Sequence, residues 1–175
     1  MTKLLRMTCL AACVAATAIA ATPAAAAPVG ATTPATARAR VVKPLTLTAT
    51  GELYFGTIVI PAAGVTATRT IKVSAANVRD CAGGSTEVTC SDLPTVPTYN
   101  VQGTNGMVVN ITKTASSLTG SNGGTLAFTP TGQNSVTLPN SGNAGANFNI
   151  GGNIDIVPST VDGVYTGNIN VTVDY

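Results

Sequence analysis

The chain has 175 residues, enough for one ordinary domain, with nine Lys+Arg, seven Asp+Glu and no His. Without His, Ser-His-Asp and Cys-His nucleophile systems are excluded, and the commonest general base is missing. Charged residues make up 9% of the chain, too few for the basic footprint of a nucleic-acid binder.

The chain opens with Lys3 and Arg6, then an apolar run from Met7 to about Ala21, then Thr22-Pro23 and the small residues Ala24 to Ala27. This order of charge, apolar core and small residues is that of a secretory signal peptide over residues 1–26. Cleavage is placed after Ala26, because cutting after Ala27 would leave Pro28 as the first mature residue. Leu10-Ala11-Ala12-Cys13 offers a competing reading, a lipobox acylated at Cys13. Only six residues separate Arg6 from Cys13, and the apolar run continues beyond it. Losing the leader removes Lys3, Arg6, Cys9 and Cys13. Seven basic and seven acidic residues then remain, with one pair of cysteines, Cys81 and Cys90. An even pair in an exported chain reads as a disulfide. It would close a ten-residue loop and stabilise by roughly 2.5–3 kcal/mol on the chain-entropy argument. No second apolar run approaches the ~20 residues that span a bilayer.

Residues 27–40 are Ala, Thr, Pro and Arg with little to bury, and read as an extended arm. From residue 41 to 175 the texture is that of strands punctuated by Gly, Asn and Pro. Strands are predicted at 45–49, 53–60, 98–103, 107–114, 125–130 and 135–138. A further strand carries Val65, Ala67, Ile71 and Val73 on one face, with Arg69 as the exception. Another carries Phe148, Ile150, Ile154 and Ile156. The most regular alternation is the last: Tyr165, Ile169, Val171, Val173 and Tyr175 face one way, and Thr166, Asn168, Asn170, Thr172 and Asp174 the other. Thr104-Asn105-Gly106 predicts a hairpin between 98–103 and 107–114. Nine or so short strands with one polar face each imply an all-β, immunoglobulin-like antiparallel sandwich. Cys81 and Cys90 are expected to pin a loop between strands, being too near in sequence to join two sheets.

Candidate chemistry is sparse. The carboxylates Glu52, Asp80, Glu87, Asp92, Asp155, Asp162 and Asp174 mostly fall in predicted turns or on polar strand faces, which is the pattern of solvated surface groups. Asp80, Glu87 and Asp92 flank the cysteines, an oxygen-rich grouping without the spacing of a calcium loop. The Gly-rich stretches 120–124 and 141–145 match no nucleotide fingerprint and read as turns. Tyr54, Tyr99 and Phe128 are either core residues or a sugar-binding face, and the lack of Trp favours the core. No catalytic, cofactor or metal residues are assigned, and the expectation is a protein that is not an enzyme.

Two patches carry a resemblance: Val41-Val42-Lys43-Pro44-Leu45-Thr46-Leu47-Thr48 with Leu53-Tyr54-Phe55-Gly56-Thr57-Ile58, and the ending Gly163-Val164-Tyr165-Thr166-Gly167-Asn168-Ile169-Asn170-Val171-Thr172-Val173-Asp174-Tyr175. Together they resemble a bacterial secreted family catalogued as domain of unknown function 4402. More distantly they resemble the spore coat protein U family and the pilins of the archaic chaperone–usher pathway. The usual Cys of spore-coat-U-like proteins near the position of Pro44 is absent. The resemblance implies a surface protein, and the pilin relationship implies strand complementation. The run from Tyr165 to Tyr175 would then be an open edge strand. Ala37, Ala39 and Val41 would face a neighbour's groove, with Arg38 and Arg40 turned to water. The expected partners are copies of the chain and a periplasmic chaperone and usher. The expected location is the periplasm, the cell surface or the medium. The other reading is a disordered leader before a self-contained sandwich, acting as a monomeric secreted or tethered binding module, perhaps for glycans.

Overall fold

The computed structural model describes residues 28–30, 32–140 and 144–175. The expected leader over residues 1–26, its expected cleavage point at Ala26–Ala27 and the competing acylation site Cys13 lie outside the described residues. The chain divides into two units, Met1–Ala39 and Arg40–Tyr175. In the first, residues 28–30 and 32–39 are exposed and form no strand, so Ala37 and Ala39 belong to no sheet of their own chain.

The second unit is built almost wholly from strands. These are β1 (Thr46–Thr50), β2 (Thr57–Val59), β3 (Arg69–Val73), β4 (Arg79–Cys81), β5 (Thr89–Ser91), β6 (Thr98–Gln102) and β7 (Val108–Thr114). Then come β8 (Ser116–Gly120), β9 (Thr125–Thr131), β10 (Ser135–Thr137), β11 (Ala146–Asn149), β12 (Gly151–Ile156), β13 (Tyr165–Thr166) and β14 (Asn170–Asp174). They form four antiparallel sheets, ordered β1-β6-β11, β10-β7-β14, β13-β8-β9-β12-β3-β4 and β2-β5. Several long runs serve two sheets. One passes from β7 to β8 across Ala115, another from β11 to β12 across Ile150, and the last from β13 to β14 beyond Gly167. The result is the expected all-β antiparallel sandwich.

Alternation places the core. One cluster joins Phe55, Val65, Ile71, Val73, Val88, Leu126, Phe128, Ile154 and Ile156, with Phe55 edge-on to Phe128 at 6.3 Å between ring centroids. The other joins Tyr99, Val101, Val109, Ile111, Leu138, Phe148 and Ile150, filled from the β1-β6-β11 and β10-β7-β14 sheets. Tyr99 stacks on Phe148 at 5.4 Å.

The expected hairpin across residues 104–106 does not form. β6 and β7 lie in different sheets, and the turn is an arch between them. Its backbone pairs with the end of β10 instead, Gly106 N–H donating to Leu138 O at 3.0 Å and Leu138 N–H to Met107 O at 2.8 Å. Turn chemistry allows a chain reversal but does not say which sheet receives it. The cysteine expectation is also corrected. The disulfide Cys81–Cys90 forms, with Cα atoms 6.0 Å apart. Yet it joins β4 of the six-stranded sheet to β5 of the two-stranded one. Ten residues suffice because Cys81 ends β4 and Cys90 lies one residue into β5, so the short loop between them only has to bring these two positions together. Three strands carry too few apolar residues to show a period, namely Arg-Asp-Cys in β4, Thr-Cys-Ser in β5 and Ser-Ser-Leu-Thr-Gly in β8. The expected strand at 53–60 shrinks to β2 and a single bridge between Tyr54 and Thr95. Ala67 is exposed, outside β3.

Candidate functional site

The last strand forms for the reason its alternation predicts. Val171 and Val173 point inward, and Asn170, Thr172 and Asp174 point outward. β14 pairs with β7 along its whole length, Val171 opposite Lys113, Thr172 opposite Thr112, Val173 opposite Ile111. Upstream, β13 pairs with β8, Tyr165 opposite Gly120. β13 and β14 each end the order of their sheet, so the other edge of this run has no strand partner among the described residues. β1 likewise ends its sheet, paired only with β6 from Thr46↔Gln102 to Thr50↔Thr98.

These two edges border the same core. Leu45 and Leu47 of the first run, and Ile169, Val171, Val173 and Tyr175 of the last, all pack against the Tyr99–Phe148 cluster. All are only half-buried, whereas Val101 and Val109 behind them are fully buried. Between Leu45 and Ile60, and from Tyr165 to Tyr175, Phe55 is the one apolar side chain that reaches full burial. Across the sandwich, β10 and β11 lie against each other, and Leu138 and Phe148 are buried there. Among the described residues the sandwich is therefore closed on the β10/β11 side, and no strand lies between β1 and β14 on the other.

Tyr175 holds one end of the opening. Its hydroxyl donates to Lys43 O at 2.7 Å and accepts from Thr104 N–H at 2.7 Å. Lys43 N–H in turn donates to Thr104 Oγ1 at 2.6 Å. Gly103 makes room for this clasp, since a Cβ there would collide with the Tyr175 hydroxyl and with Leu45. Val41, just before the clasp, is 90% exposed and outside any strand. Arg40 donates to Met107 Sδ. Sequence reasoning named the Tyr165–Tyr175 run but not its counterpart at Leu45 and Leu47. The signal was present in the Leu-Thr-Leu-Thr alternation, but pairing on one side only cannot be read from one strand.

The other candidates disperse. Tyr99 and Phe128 are core residues, Tyr99 with its hydroxyl pKa raised by burial, and of the three only Tyr54 is exposed, at 40%, so these residues do not share a surface face. The three carboxylates around the disulfide take separate partners. Asp80 accepts from Gly83 N–H at 2.9 Å. Glu87 pairs with Arg69 at 2.6 Å and accepts from Thr66, and these contacts, Thr66 first, hold its carboxyl below the usual range. Asp92 accepts from Thr57 at 2.5 Å. Among the described residues no cluster of three His, Cys, Asp or Glu is placed to hold a metal. No described helix is long and apolar enough to cross a membrane.

The Phe55-Gly56 patch is an anchor. Gly56 has φ +86°, a conformation that L side chains rarely adopt, and Arg79 and Ser91 O occupy the place a Cβ would need. Arg79 Nη1 donates to Phe55 O, Ser91 O and Asp92 O at 3.0, 2.8 and 2.8 Å, tying β4 to the β2-β5 sheet.

A disulfide-pinned β-sandwich with one open side is thus the class that fold and site define. The family described as "Domain of unknown function (DUF4402)" matches residues 45–175, and the chain belongs to it. No curated protein and no solved structure matches the chain.

Proposed function

We propose that this chain is an exported, non-catalytic structural subunit of a surface appendage or coat, assembled by strand addition between copies. The observation that carries the reading is the half-buried apolar stripe shared by Leu45, Leu47, Ile169, Val171 and Val173 between two unpartnered strand edges. Such edges recruit strands, because their backbone groups and apolar side chains gain partners together. Residues 37–41 of a second copy are the occupant. They belong to no strand in their own chain, and their alternation would turn Ala37, Ala39 and Val41 inward. Head-to-tail repetition gives an open filament. A periplasmic chaperone would cover the opening until assembly. The disulfide supports an oxidising destination.

The test is the size of mature protein purified from its native host, by gel filtration with light scattering and by electron microscopy. Long polymers that disappear when residues 27–40 are deleted are expected. A stable monomer with a sharp unfolding transition would overturn the reading in favour of a self-contained binding module.

A further inference from the structure

We infer that Asp174 is the counter-charge that sets the register of the incoming strand, pairing with Arg38 of the donor copy. The inference rests on the strand-addition reading above. Asp174 is the only carboxylate in the six strands of the two sheets that border the opening. It lies on β14, the edge strand itself, near the Tyr175 end, with its side chain on the exposed face. Asn110 Nδ2 donates to its Oδ1 at 2.9 Å, while Oδ2 accepts no hydrogen bond among the described residues. That contact orients the carboxylate without neutralising it.

The donor segment has complementary character. Residues 27–41 hold two charged side chains, Arg38 and Arg40, and no acid. With Ala37, Ala39 and Val41 turned into the groove, both arginines fall on the outward face, beside Asn170, Thr172 and Asp174 of the acceptor. Opposite charges on neighbouring strands of one face attract, and like charges repel. Arg38 stands between the two inward alanines, whereas Arg40 lies only three residues before the clasp that holds Lys43 to its own domain, so Arg38 is the one further from its own domain. The apolar residues of the donor are small and similar to one another, so apolar contacts alone distinguish poorly between registers two residues apart. A single fixed charge on an otherwise neutral face does distinguish them.

The experiment follows polymerisation of the purified full mature chain by light scattering, at low and high salt. Asp174→Arg is expected to slow assembly about threefold to fivefold at low salt, the scale of an exposed ion pair, and the difference should fade with salt. Asp174→Arg combined with Arg38→Glu should recover the wild-type rate, and Asp174→Arg combined with Arg40→Glu should not. Asp174 is exposed and makes one surface contact, so an unchanged unfolding midpoint checks the fold. Wild-type assembly by Asp174→Arg, or rescue by Arg40→Glu rather than Arg38→Glu, would overturn the assignment while leaving strand addition standing. A wild-type protein that never polymerises would remove the underlying reading instead.

Discussion

Ile111 and Val173 sit opposite each other on β7 and β14, yet they live in different environments. Ile111 belongs to a strand paired on both sides and is 4% exposed; Val173 belongs to an edge and is half-buried. The same contrast separates β3, β6, β7, β9 and β12 from the first and last runs of the domain. The middle strands carry the stability of the fold. The outer ones are amphipathic enough to join it but leave apolar surface and backbone groups unspent. Stability is thus assigned to the middle strands, and the proposed assembly surface to the outer ones.

The largest expected effect tests the middle strands. Phe128, central to its cluster and packed edge-on to Phe55, should cost about 3–5 kcal/mol on Phe128→Ala, read as a lower urea midpoint. Next comes the disulfide at the sheet boundary. Replacing both Cys81 and Cys90 with Ala should remove roughly 2.5–3 kcal/mol, measured the same way against the oxidised protein. Val173→Ala should cost only about 1 kcal/mol in the isolated domain, since its methyls are only half withdrawn from water. It should nevertheless weaken binding of a synthetic peptide spanning residues 27–41. A loss of stability matching that of Phe128→Ala would show that the β14 side is closed. The smallest effect concerns pH. Glu87 is held below its ordinary value of 4.5 by Thr66 and then Arg69. A depressed carboxylate contributes stability that is complete above its unfolded value and lost as pH falls through the folded one. The unfolding midpoint should therefore drop below about pH 4.5 less steeply in Glu87→Gln than in wild type.

Much of this arrangement is legible in the sequence. The alternation at 148–156 and 165–175 located strands and assigned their faces, because side chains two residues apart must share a face of a sheet. Cys81 and Cys90 identified themselves as a pair. The family resemblance rests on Val41–Thr48 with Leu53–Ile58, which holds Phe55-Gly56, and on the Gly163–Tyr175 ending. The structure supplies physical reasons for both, a left-handed backbone under Arg79 and a tyrosine clasp at Lys43 and Thr104.

What alternation cannot encode is adjacency. Thr104-Asn105-Gly106 reads as a hairpin, but the partner of β7 is chosen by which apolar faces meet, and those belong to β10 and β14, many residues away. The same limit hid the strands β4, β5 and β8, whose few apolar residues are stabilised by neighbours rather than by their own pattern. It also hid the opening itself. Periodicity along a strand states which side chains turn inward; only the assembled sandwich decides whether a second strand lies beside it, because backbone pairing is a contact between segments distant in the chain.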